Sequence, residues 1–339
     1  MAQLWNRRQT LWFITGAAGS LTLHACQPSQ PTGKTASKAA SIGVFLWVGA
    51  TPLYIAQEKG FFTKHGLNLD VKVFGANTDG NTAFISDRLN AVSPVTSEAI
   101  TIAAGGKDFK IVLVQDNSFG GDGILARKSI KSIADFKGKK IAVEEASVSH
   151  FFLLQVLAKE GLGIKDFTLV NAGPDAAAAA YQSGQIDIAV TYAPYLTKAN
   201  TAQPDGRIIF DSSQMPTAIN DLYVFDPKFT TENSEAVQAF VAGVLEGVEF
   251  FKTNRPEGLK IAAARLGVTI EELDRDIQGV RLPDLATNLE MLANPQSDLY
   301  LLKSMQSMAE FLKASNQIPA IPDLSKLIEP KFLQALQKS

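Results

Sequence analysis

Two hydrophobic periods trade places along this chain. Ile42, Val44 and Leu46 alternate within Ser41–Leu46, the two-residue period of a half-buried strand. After Trp47-Val48-Gly49-Ala50, Thr51 as N-cap and Pro52 at the first helical position mark a helix start, and Gly60 is its stop. The succession repeats. Leu69–Phe74 predicts a strand, followed by a turn-rich polar loop over Gly75–Asn81. A short apolar piece from Ala91 gives way to a capped helix near Thr96. Ile111–Val114 and Ile124–Ala126 read as strands on either side of Gly120-Gly121. A second series has strands at Ile141–Val143, Phe167–Val170, Ile186–Val190 and Ile208–Phe210. Its helices follow Ser147 and cover Pro174–Gln182. After a segment Ser212–Pro216 and a strand at Leu222–Phe225, long amphipathic helices begin at Ser234, where Val237, Phe240, Val241, Val244 and Leu245 share a face. Others cover Pro256–Leu266, Glu271–Asp276 and Ser297–Leu312. Strand and helix alternating twice, then a helical tail, predict two α/β lobes with largely parallel sheets. Gly120–Gly121 and Ser212–Pro216 suit crossings between them, although a surface turn fits the glycines equally.

Each strand that feeds a helix through a polar turn aims free backbone N–H groups past the sheet edge, where open α/β sheets bind ligands. The turn Glu144–Ser149 is the clearest case. Glu144 and Glu145 are adjacent, so with strand geometry maintained they face opposite ways and cannot serve one acid–base centre. His150 opens the helix behind them, in a core or capping role or as a ligand contact; His65 reads as a solvated helix end.

With 339 residues the chain suits two domains. A charged fraction of 19% and a net charge of −2 fit a globular body and suggest neither nucleic acid nor an anionic membrane surface as partner. Residues 1–25 differ: Arg7-Arg8, then an apolar stretch Leu11–Leu23, with no acid, as in an export signal. Asn6-Arg7-Arg8-Gln9 resembles a twin-arginine motif, and Leu23-His24-Ala25-Cys26 a lipoprotein box in which Cys26 becomes the lipidated first residue. Cys26 is the sole cysteine, which excludes an intramolecular disulfide. Residues 26–40 read as a flexible tether. The sequence has no Walker loop, GxSxG, HExxH or GxGxxG and only three histidines, so neither catalysis nor a metal or cofactor is expected.

Several blocks carry a family resemblance: Pro52-Leu53-Tyr54-Ile55-Ala56-Gln57-Glu58-Lys59-Gly60-Phe61-Phe62, Asp122-Gly123-Ile124, Lys137-Gly138-Lys139, and Ala180-Tyr181-Gln182-Ser183-Gly184-Gln185-Ile186-Asp187 leading to Pro194. In this order they resemble the periplasmic solute-binding proteins of ABC importers, in the nitrate/sulfonate/taurine branch that includes binders of thiamine-pyrimidine precursors. The resemblance covers roughly Ser41–Asn288. It implies a type II periplasmic-binding fold: a discontinuous first lobe over 41–118 and 215–339, an inserted second lobe over 119–214, and a ligand cleft between them that closes about the two crossings. It also implies a monomer at the outer face of the cytoplasmic membrane or in the periplasm, held by the lipid on Cys26 and serving a permease with its ATPase. A taurine- or alkanesulfonate-like solute is expected. A pyrimidine precursor, nitrate or bicarbonate, or an enzyme of pyrimidine synthesis on the same fold, are the alternatives.

Carried onto this sequence, the pocket of such proteins places Trp47, Thr51, Asn77, Thr96, Asp116, Glu145, Ser147, Tyr192 and Asp221 near the ligand. Thr51 and Ser147 also suit simple capping, Trp47 packing on its own lobe, and Asn77, Asp116 and Asp221 ordinary turns. The cleft turns contain Asp79, Asp116, Asp122, Glu144, Glu145 and Asp221 but no Lys or Arg. A bare inorganic anion fits that set poorly. The expected solute therefore bears nitrogen and is zwitterionic or cationic, a taurine-like amino-sulfonate being one example, with Glu145 as the amine's partner and Trp47 as an aromatic wall.

Overall fold

The computed structural model describes residues 38–338. The leader, Cys26 and most of the tether lie outside the described residues. Eleven strands form two sheets. They are β1 Lys38–Phe45, β2 Leu67–Phe74, β3 Ala91–Val92, β4 Lys110–Ser118, β5 Asp122–Arg127, β6 Lys140–Val143, β7 Thr168–Asn171, β8 Ile188–Tyr192, β9 Gly206–Asp211, β10 Asn220–Phe225 and β11 Val280–Arg281. The first sheet runs β11-β4-β10-β3-β1-β2 and the second β7-β6-β8-β5-β9. The strand expected to begin at Ser41 starts at Lys38, whose register with Leu67 extends the β1–β2 ladder into the predicted tether.

The sheets are mixed rather than largely parallel. β1 runs parallel to β2 and β3, and β6 to β7 and β8. β10 is antiparallel to β3 and β4, and β5 to β8 and β9. The reason is topological. The chain leaves the first sheet through β4 and re-enters through β10 at the same end, so the two must run oppositely. β5 and β9 stand in the same relation in the second sheet. The two crossings are pinned together: Ser212 Oγ lies 2.8 Å from Ser118 Oγ and accepts the Gly120 N–H at 2.7 Å.

Helices cover both sheets. Before the helical tail these are α1 Thr51–Glu58, α2 Phe61–Lys64, α3 Asn77–Ile85, α4 Thr96–Ala104, α5 Val148–Lys159, α6 Pro174–Ser183 and α7 Tyr195–Ala202. The tail adds α8 Pro227–Glu232, α9 Ser234–Thr253, α10 Arg255–Leu266, α11 Ile270–Asp276, α12 Leu285–Ala293, α13 Leu301–Ala314 and α14 Lys331–Gln337. Val237, Phe240, Val241 and Val244 of α9 are buried, with Phe240 against the rings of Phe62, Tyr223 and Phe225. That aromatic cluster fixes α2 and α9 on the first sheet. Among the described residues no helix is long and apolar enough to cross a membrane.

Two local expectations fail. The loop predicted over Gly75–Asn81 becomes α3 from Asn77. Its turn-forming residues are held helical by packing, and Gly80 is needed because a Cβ there would sit 2.7 Å from the Phe45 ring. Thr51 is not an N-cap: Ala50 is, and the Thr51 hydroxyl donates to the Val48 carbonyl at 2.8 Å, closing a short 3₁₀ turn before α1.

Candidate functional site

Between the sheets lies a cavity of about 20 Å³. Trp47, Asn77, Gln115 and Asp221 reach it from the first lobe, and Asp122, Val148 and Tyr192 from the second. Trp47, Asp122, Tyr192 and Asp221 sit at or beside strand ends, Asn77 and Val148 at helix starts, and Gln115 within β4. Trp47 follows β1, Gln115 lies in β4, Asp221 in β10, and Tyr192 closes β8, so the sheet ends converge on one spot. Room of this size accepts a group of few atoms, one probe-sized water occupying roughly 10–15 Å³ on the same measure.

Trp47 is the apolar wall. Its ring meets Tyr192 edge-on at 5.9 Å, and its Nε1 donates to Asp116 Oδ2 at 2.9 Å. Gly49 makes that bond possible, since a Cβ there would sit 2.0 Å from Asp116 Oδ2. Trp47 is also 6% exposed and part of the main core, so it serves packing and the wall together, where the sequence left these as alternatives.

Around this wall gather five buried carboxylates: Glu98, Asp116, Asp122, Glu144 and Asp221. Burial pushes the Asp122 carboxyl up to about 7, helped by the charges of Asp116 and Glu98. Burial also raises Asp116 and Asp221, which face each other across the β4–β10 ladder, and Asp116 raises Asp221 further. Glu98 is raised to about 7 by burial against the pull of its donors. These are Asn77 Nδ2 and Val148 N on Oε1, both at 3.0 Å, with Asn81 Nδ2 at 3.1 Å and Val95 N at 3.3 Å on Oε2.

The carboxylates reach across the cleft in both directions. Glu98 from α4 takes the first N–H of α5, and Glu144 from the turn before α5 takes the Thr78 N–H in the first turn of α3 at 3.1 Å and its hydroxyl at 2.9 Å. Each lobe thus supplies the anion for a helix N-terminus of the other. The Tyr192 hydroxyl donates to Asn77 Oδ1 at 3.0 Å, a third link.

Of the residues expected near the ligand, Trp47, Asn77, Tyr192 and Asp221 line the cavity. Asp116 lies behind Trp47. Thr96 donates to the Asn220 carbonyl at 3.1 Å and Ser147 to the Glu144 carbonyl at 2.8 Å; both are buried, with their hydroxyls spent on backbone, as is that of Thr51. Glu145 is corrected: its side chain is exposed and its N–H is held by Asn171 Oδ1 at 2.9 Å. Glu144 is the member of the pair that turns inward. The sequence reading missed Gln115 and Glu98. Glu98 stands three residues beyond Val95, where an acid reads as a helix cap. His150 is buried at the start of α5 and accepts the Ala146 N–H at 3.2 Å, a turn-holding role.

A second, larger opening of about 900 Å³ lies between α5, the return crossing and helices α12 and α13. Lys159, Arg281 and Lys303 line it together with Asp298.

Comparison with known proteins gives consistent results. The family model described as NMT1/THI5 like matches residues 47–258. The taurine-binding periplasmic protein of Escherichia coli K12 is 25% identical over 312 residues, spanning 88% of this chain and 94% of that protein. The alkanesulfonate-binding protein SsuA from Xanthomonas axonopodis pv. citri, solved bound to MOPS, superposes with a TM-score of 0.71 at 19% identity, covering 86% of this chain and 98% of the other. The desulfurization enzyme DSZB superposes at 0.67 with 18% identity, covering 89% and 99%.

Proposed function

The chain belongs to the NMT1/THI5-like family, and on that premise we propose that it is the solute-capturing component of an ABC importer, acting outside the cytoplasm. The observation that carries this reading is the enclosed polar cleft between two lobes joined by two pinned crossings, with bonds from each lobe to the other's helix N-termini. Two α/β bodies so joined can swing apart to admit a small solute and close to hide it from water. The full-length similarity to a protein named for taurine binding supports the same reading. Binding, with no reaction, is the role. Cys26 carries the lipid that holds the mature chain at the membrane, residues 26–37 tether it, and the closed form is presented as a monomer to a permease driven by its ATPase. The solute is small, organic and nitrogen-bearing. A sulfonate-type solute is the second reading, favoured by the ligands for which the relatives are named.

The test is capture. Protein stripped by unfolding in urea and refolded should, when mixed with a small-molecule extract of its host's growth medium, melt at a higher temperature and compact in small-angle scattering. Unchanged melting and scattering would contradict the reading. Cys26→Ser should leave the chain unlipidated and incompletely processed.

A further inference from the structure

Resting on the reading of the chain as a solute receptor, we propose that the cleft takes a small organic cation carrying several N–H donors, an ammonium or guanidinium group, and rejects solutes that place an anionic end in it. The first observation is what the cavity offers. Gln115, Asp122 and Asp221 offer it oxygen acceptors, Asn77 and Tyr192 are bonded to each other, Ser93 adds one hydroxyl, and no Lys or Arg lines it. The orientation of Gln115 is fixed, because its Nε2 donates to Asp116 Oδ2 at 3.0 Å, which leaves Oε1 buried and without a donor. Asn81 repeats the pattern: Nδ2 is committed to Glu98 and Oδ1 is unpaired. Asp116 Oδ1 and Glu144 Oε2 are likewise buried without a partner. Gln115 is 4% exposed and Asp116 fully buried. Of these orphaned acceptors, Gln115 Oε1 belongs to the cavity lining, and it calls for a guest that donates, since a buried polar atom without its hydrogen bond is costly.

The second observation concerns anions. Helix N-termini are where an anion would ordinarily be held, and at two of those facing this cleft an acid of the other lobe already takes an N–H. Glu144 occupies the α3 start and Glu98 the α5 start. At α1 the Thr51 N–H is bonded to Val48, and Pro52 has no N–H to give. A sulfonate or carboxylate entering here would meet buried acids with no basic partner and would have to displace one of them. The third observation is the wall. Trp47 and Tyr192 set ring surface beside the carboxylates, an arrangement that favours a cation over a neutral or negative guest. The cavity of about 20 Å³ limits the enclosed group to a few heavy atoms.

Urea-stripped protein should be titrated calorimetrically with methylammonium, ethylenediamine and guanidinium at low millimolar concentration. Tetramethylammonium, taurine, ethanesulfonate and nitrate are the comparison set. Heat of binding and a raised melting temperature are expected from at least one N–H cation and from none of the comparison set. Asp122→Asn and Gln115→Leu should each weaken that binding at least tenfold. Gln115→Leu removes no charge, so it carries the test should the Asp122 variant fold poorly. Binding of ethanesulfonate, taurine or nitrate with the N–H cations inert would overturn the cation assignment while leaving the receptor reading intact. Equal binding of tetramethylammonium would overturn the requirement for N–H donors. Silence from every probe would overturn the assignment, and only silence from the growth-medium extract as well would remove the receptor.

Discussion

The molecule has two hollows, and they are opposites. One, near 20 Å³, is walled by Trp47 and Tyr192 and lined by the buried acids Asp122 and Asp221 and the unpaired Gln115 Oε1. The other, near 900 Å³, is open, carries both charge signs, and its Lys159, Arg281, Lys303 and Asp298 are free to meet water. Size alone would choose the second. Water satisfies the polar groups of an open groove at little cost, so their presence there implies nothing. The enclosed hollow keeps carboxylates out of water against their desolvation cost, and a fold maintains that only where something else compensates. Unpaired buried atoms, more than volume, mark the site.

The sharpest way to break this contrast is to reverse charge in each hollow. Asp122→Lys should abolish solute binding, a loss of at least about 100-fold given the 3–5 kcal/mol typical of unbalancing a buried charge. Lys303→Glu in the open groove should change affinity by less than about twofold, as exposed charges do. Equal effects would erase the distinction. Next in size is Trp47→Ala. It removes a buried aromatic from core and wall at once, so the solute-free protein should lose about 3–5 kcal/mol on denaturant unfolding together with its binding. An unchanged unfolding midpoint would mean that Trp47 is a wall alone.

A third test uses pH. Glu98, Asp122, Asp116 and Asp221 all have folded-state values raised above their ordinary ones, so the folded protein holds more protons than the unfolded chain between about pH 4 and pH 7. Stability of the solute-free form should therefore rise as pH falls from 8 toward 5. His150, whose value burial lowers, works the other way as pH falls below its ordinary 6.5, one group against four. Affinity for a cation should move oppositely and tighten from pH 6 to pH 8 as the carboxylates lose their protons. Melting curves and titrations at pH 5, 6, 7 and 8 would check both; parallel trends would contradict the acid cluster. Within the cleft the smallest effect is expected for Glu144→Gln, which weakens the bond to Thr78 across it: about 1 kcal/mol, or roughly fivefold in affinity, by calorimetry.

Much of the fold was legible because its strands are short apolar runs punctuated by Gly, Pro and capping residues. Nine of the strands through β10 were located; β3 was read only as a short apolar piece, and the two-residue β11 was missed. Strand direction was less so: alternation with helices suggested parallel sheets, but the crossings impose antiparallel neighbours that no local pattern records. Helices α7, α12 and α14 were missed as well. At the site, the family resemblance, which builds the pocket from βα turns, pointed to Trp47, Asn77, Tyr192 and Asp221, and these line the cavity. It put Glu145 rather than Glu144 in the pocket, because the outcome depends on how the chain turns at Ala146, whose φ is +60°, and on Asn171, a neighbour brought in by β7. Gln115 and Glu98 stayed hidden for a similar reason: one reads as an ordinary strand residue and the other as a helix cap, and only the packed cleft gives them partners.

The central claim, that the cleft is a receptor site for a small N–H cation, is tested most directly by native mass spectrometry of the protein purified from its own host, with the released small molecule identified. The account predicts one bound solute per chain, carrying an amine, amidine or guanidine nitrogen and no sulfonate or carboxylate, and lost from Asp122→Asn. A bound sulfonate, nitrate or other anion, retained by that variant, would contradict it.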